Sequence, residues 1–166
     1  MAYSDPDGAG VGGWLALFVL AMAVFTPLAI IFSTVSGLYG DPAIAAAYAD
    51  RWTALQIFEW TLAALVIAGC WSIAWRLNKV QVWRTVQVTI AGMWILAIGS
   101  MLAEFVGVSL LTGIPFASLA AASIGPEMAR PLIFSAIWTA YFLRSKRVAN
   151  TYPREDDPDA VAEVFG

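Results

Sequence analysis

Four ionisable side chains stand inside otherwise apolar stretches of the chain: Glu59, Glu104, Glu127 and Arg130. At the centre of a membrane helix such a group costs about 2.5–3.5 kcal/mol on insertion scales, so it marks an ion or solute path, a proton relay or a pairing partner. Three carboxylates and one guanidinium suit that chemistry. If they converge, Arg130 can pair with one or two carboxylates and leave another to hold a proton or a cation. The segment "GPEMARP", residues 125–131, sets Glu127 and Arg130 three residues apart between Pro126 and Pro131. Glu127 also has a plainer role, because a carboxylate in the first turn after a proline favours the positive end of a helix. A salt-bridge cluster that only fixes helix packing accounts for the same four residues.

The elements that position these groups follow from composition. Of 166 residues, 60% are hydrophobic and 13% charged, about half the usual charged share of a soluble domain. Mean hydropathy is +0.74. A spanning helix needs roughly 20 mostly apolar residues, and four segments supply them: about 12–35, 54–77, 86–112 and 126–143. The expected fold class is therefore all-α, a polytopic membrane protein of four transmembrane helices. The transmembrane domain is expected over 12–147, between a flexible tail at 1–11 and an acidic tail at 148–166. Asp41 and Pro42 read as the cap and first residue of a short outer helix over about 42–51.

Lysine and arginine placement orients the bundle. Arg76, Lys79 and Arg84 lie between the second and third segments, and Arg144, Lys146, Arg147 and Arg154 follow the fourth, against Arg51 alone on the other side. The positive-inside rule then places both termini in the cytoplasm. At a rise of 1.5 Å per residue, Glu59 and Glu127 lie about 25 Å from the inner arginines, Glu104 about 30 Å and Arg130 about 21 Å. All four thus fall in the outer part of a hydrocarbon core about 30 Å thick. Arg144, Lys146 and Arg147 form a basic juxtamembrane stretch suited to anionic lipid headgroups.

Three further patterns bear on mechanism. Pro27, in "FTPLA", removes a backbone hydrogen bond inside the first segment, so a kink is expected there, with a gating hinge as the less favoured alternative. Gly99, Ala103 and Gly107 make a small-residue series that admits a close helix, either from the same chain or from a second copy. "GAGVGG" matches G-x-G-x-x-G in letters, but it lacks the preceding strand that a dinucleotide site requires.

Composition excludes several functions. The single Cys70 and the absence of histidine rule out an internal disulfide and argue against zinc, haem or iron–sulfur sites. No metal or cofactor is expected, and no basic face suits nucleic acid. Nor is there a nucleophile–base pairing, so an enzyme is not expected.

"GGWL" at 12–15 and "IWTAYFLRSKRVANTY" at 137–152 resemble a family of small bacterial four-helix membrane proteins, a domain of unknown function. The resemblance singles out Trp14, Arg130, Trp138, Tyr141, Phe142, Ser145, Lys146, Arg147, Val148, Asn150 and Thr151. That family more often carries Phe where this chain has Tyr152. It implies a bacterial inner-membrane protein with no assigned reaction. Two functional expectations follow. One is a transporter-like homodimer that binds an ion or small solute. The other is a structural or accessory protein that binds a partner or lipid.

Overall fold

The computed structural model describes residues 11–123 and 126–153, and every regular element among them is helical. The segments 1–10 and 154–166, which hold most of both expected tails, lie outside the described residues.

Helix α1 runs Gly13–Tyr39 and changes to π geometry over Ala21–Phe25, just before Pro27. Asp41 caps the short α2, Pro42–Ala47, by accepting the Ala43 N–H at 2.9 Å. A tight turn at Ala49–Arg51 leads into α3, Trp52–Lys79, and α4 follows as Trp83–Thr112. Gly113 ends α4 with φ +78°, a left-handed stop that glycine adopts without steric cost. Helices α5, Phe116–Ser123, α6, Pro126–Arg144, and α7, Lys146–Thr151, complete the chain.

Three of these helical stretches, Gly13–Tyr39, Ala49–Lys79 and Trp83–Thr112, are long and apolar enough to cross a membrane. They outrun the apolar segments that announced them. The 28 residues of α3 reach about 42 Å at 1.5 Å each, which is the thickness of a bilayer with its headgroups. Polar residues such as Asn78 and Lys79 prolong the helix past its apolar stretch. Helix α6 has 19 residues and carries Glu127, Arg130 and Arg144.

α3 and α4 pack as an antiparallel hairpin, and glycine sets how closely. The ring of Phe58 lies on Gly107, Leu96 on Gly69, and Ile73 on Gly92. A methyl group at Gly69 would come within 2.7 Å of Leu96 Cδ2 and one at Gly92 within 3.1 Å of Ile73 Cδ1. The contacts therefore alternate, each helix supplying both a large side chain and a gap.

The packed core sits at one end of the bundle. Leu15, Phe18 and Met22 of α1 meet Cys70, Ile73, Ala74 and Leu77 of α3, Val86 and Met93 of α4, and Trp138 and Phe142 of α6. Phe18 is the hub, with ring centroids 4.8 Å from Trp138 and 5.0 Å from Phe142. Toward the other end, burial of apolar side chains thins to Leu38, Leu55, Ala63 and Phe105 among the described residues. We refer to these as the closed and open ends.

The final motif belongs to the closed end. Ser145 breaks α6 and caps α7, its Oγ accepting the Val148 N–H at 3.4 Å. That turn drives Val148 and Tyr152 into the core, where both are fully buried and Thr151 nearly so. The tail expected from 148 onward is corrected accordingly: residues 148–152 are part of the bundle. Periodicity gave no warning, because α7 has only six residues and its burial depends on the Ser145 turn.

Candidate functional site

The hairpin register places Glu59 and Glu104 within about one helical turn of each other, because Phe58 lies on Gly107. Glu59 is half-buried on α3 and Glu104 exposed on α4, both in the sparsely packed half of the molecule. Two carboxylates so placed favour whatever puts a positive charge or a proton between them. Of the expected cluster, this is the pair the structure brings together. Arg130 has an exposed side chain on α6. Glu127 lies in the first turn of α6, and its side chain is outside the described residues. Among the described residues, no group of three or more His, Cys, Asp or Glu is placed to hold a metal.

The small-residue series divides between two surfaces. Gly107 is taken up inside the chain by Phe58, whereas Gly99 and Ala103 are exposed, and a methyl group at Gly99 would meet only Ile95 of its own helix. The two glycines that the spacing rule missed, Gly69 and Gly92, serve the hairpin. The available signal was simpler: an isolated glycine inside a long apolar helix usually has a packing reason.

Among the basic residues, Arg144 and Lys146 are exposed and Arg147 is half-buried. The Arg147 guanidinium lies over Gly12 and Gly13, and a methyl group on Gly12 would sit 2.6 Å from its Nη1. The two end motifs, "GGWL" and "SKRVANTY", thus meet in space. Gly13 at φ +54° also lets α1 start in a backbone conformation that other residues enter at a cost. Arg51, noted in the sequence only for its charge, donates from Nη1 to the Leu111 carbonyl at 2.8 Å and so caps the open end of α4.

The closed end has its own polar contacts. Tyr152 donates its hydroxyl to the Leu77 carbonyl at 2.6 Å, in the last turns of α3. Burial pushes the Tyr152 hydroxyl up to about 12 from its ordinary 10.0. Trp94 Nε1 donates to Thr139 Oγ1 at 3.1 Å and ties α4 to α6. Apart from Arg130, near the start of α6, residues that the resemblance singled out lie at this end as well. Trp138 and Phe142 are in the core, Tyr141 packs edge-on against Trp138 at 5.4 Å, and Trp14 is exposed beside them on α1.

No curated protein and no solved structure matches the chain. A family described as "Protein of unknown function (DUF2569)" matches residues 8–153, a span that takes in both end motifs and every helix between them. The chain belongs to that family.

Proposed function

We propose that the protein is a four-span membrane protein that binds a monovalent cation or a proton between Glu59 and Glu104, in a bundle shut at its cytoplasmic end. The observation that carries this reading is the hairpin register, which sets two carboxylates on neighbouring helices within about one helical turn. The pair stands at the end where packing is sparse, while the opposite end is sealed by Phe18, Trp138, Phe142 and Tyr152. A pair reachable from one side and blocked from the other is half of an alternating-access arrangement. Gly99 and Ala103 are open to a second copy, and a homodimer would give the pair further walls. The test is a melting screen of the purified protein in detergent against sodium, potassium, small organic cations and pH. A saturable rise in the midpoint with one of these supports the reading, and a flat response across the screen sinks it.

In this reading α6 is the fourth span and both termini face the cytoplasm of a bacterial inner membrane. Supporting it, α6 packs along α4, and the closed end gathers Arg76, Lys79, Arg84, Arg144, Lys146 and Arg147. Cys70 is buried, so added cysteines report topology cleanly. Ala45→Cys should react with a membrane-impermeant maleimide on intact cells, and Lys146→Cys should react only after the cells are opened. The reverse pattern would overturn the orientation.

A second reading, an accessory protein held at the membrane by lipid contacts, is favoured by exposed Arg144 and Lys146 beside the sealed core. These side chains suit anionic headgroups of the inner leaflet. It predicts stabilisation by anionic lipid with no response to cations.

A further inference from the structure

We propose that residues 26–39 of α1 form a hinged flap on α3, pivoting at the π segment, with the Trp71 indole standing in for the N–H that Pro27 lacks. The proposal concerns α1 and α3 alone and does not depend on what the carboxylate pair binds.

The backbone sets the problem. In a regular α-helix the N–H of residue 27 would serve the carbonyl of Ala23, and proline has no N–H to give. The chain answers in two ways. Over Ala21–Phe25 the helix widens to π geometry, with the Thr26 N–H bonding back five residues to the Ala21 carbonyl. At the same level Trp71 of α3 donates its Nε1–H to the Ala23 carbonyl at 3.0 Å. In hydrocarbon no water can replace that donor, so the bond matters more than it would at a wet surface.

Burial does not explain why Trp71 sits there. Its side chain is 56% exposed, so its position reflects the hydrogen bond rather than the core. The two halves of α1 also differ. Leu15, Phe18 and Met22 are locked in the closed end, whereas beyond the π segment Leu28, Ile31 and Phe32 are exposed and the helix packs chiefly on α3. At the far end, among the described residues, the buried Leu38 and a side-chain hydrogen bond from Gln56 Nε2 to the Tyr39 hydroxyl at 3.0 Å hold it. Between these two ties lies an open groove lined by Tyr39, Gln56, Trp60 and Thr61. A packed inner half, a widened turn, a pinned pivot and a side-chain clasp are the parts of a flap that swings from α3 and widens that groove.

The experiment uses the full chain in lipid nanodiscs with Cys70→Ala and paired spin labels. Labels at Phe32 and Leu65 report the flap against α3, and labels at Trp14 and Trp75 report the closed end; all four side chains are exposed. Trp71→Phe keeps the aromatic bulk and removes the donor. It should broaden the Phe32–Leu65 distance distribution and leave Trp14–Trp75 unchanged. In a Pro27→Ala background the new N–H serves Ala23, so Trp71→Phe should then have no effect. Tyr39→Phe, which opens only the clasp, should broaden the same pair and gives an independent reading if Trp71→Phe fails to fold. Unchanged distances in both single variants would overturn the proposal. So would broadening by Trp71→Phe that persists with Pro27→Ala.

Discussion

Tyr152→Ala should lower stability by about 3–5 kcal/mol, the range for deleting a large buried aromatic side chain. The residue lies only eight positions after the last residue of α6, Arg144, yet it is fully buried against Leu77 and Val86 in the closed end. Tyr152→Phe separates packing from hydrogen bonding. It retains the ring and strands the Leu77 carbonyl that Tyr152 now serves, a loss of about 1–3 kcal/mol. Because the ring still fills its place, Tyr152→Phe should fold while melting earlier.

The same hydroxyl gives a pH signature. Burial raises its pKa from 10.0 to about 12, so the folded state favours the neutral form. The stability this contributes is fully present below pH 10 and is lost as pH rises toward 12. Wild-type melting midpoints should fall through that window, and Tyr152→Phe should fall less. Equal alkaline sensitivity in both proteins would show that the hydroxyl does not behave as the structure implies.

The second large effect is expected at Gly107. The Phe58 ring occupies the space where a side chain at 107 would begin, so Gly107→Leu must push α3 and α4 apart. Overpacking costs about 1–3 kcal/mol and sometimes more. The rescue is specific: Phe58→Ala should recover most of the loss in the double variant, because it vacates that space. Gly99→Leu, on the exposed face of the same helix, should leave the monomer's stability unchanged. Chemical melts of the four proteins decide it, and an absence of rescue would contradict the hairpin register.

The contrast between Gly99 and Gly107 shows how far the sequence could be read. Spacing alone made Gly99, Ala103 and Gly107 one series, yet a helix has several faces and only its neighbours decide which is used. Helix existence was legible because 20-residue apolar runs have few other physical outcomes. Helix ends were not, since Trp83 to Thr85 and Asn78 to Lys79 continue the helices past the apolar segments. Depth put Glu59 and Glu104 at similar levels, but that the hairpin register sets them within about one helical turn depends on which helices are neighbours. The Trp71 bond to Ala23 was invisible: it joins residues 48 positions apart, and an exposed indole in an apolar helix reads as a lipid contact. Arg147 over Gly12 and Gly13 was equally hidden, although the paired motifs at the two chain ends are what such a contact leaves in sequence.

The central claim is that Glu59 and Glu104 form one cation- or proton-binding unit, and charge removal at Glu104 tests it most directly. The measurement compares melting midpoints of wild type and Glu104→Gln across a sodium or potassium titration at low ionic strength, with choline as the control for screening. The account predicts that Glu104→Gln melts higher than wild type without added cation, because the repulsion is gone, and no longer responds specifically to it. A variant that melts lower and keeps the wild-type cation response would contradict the account.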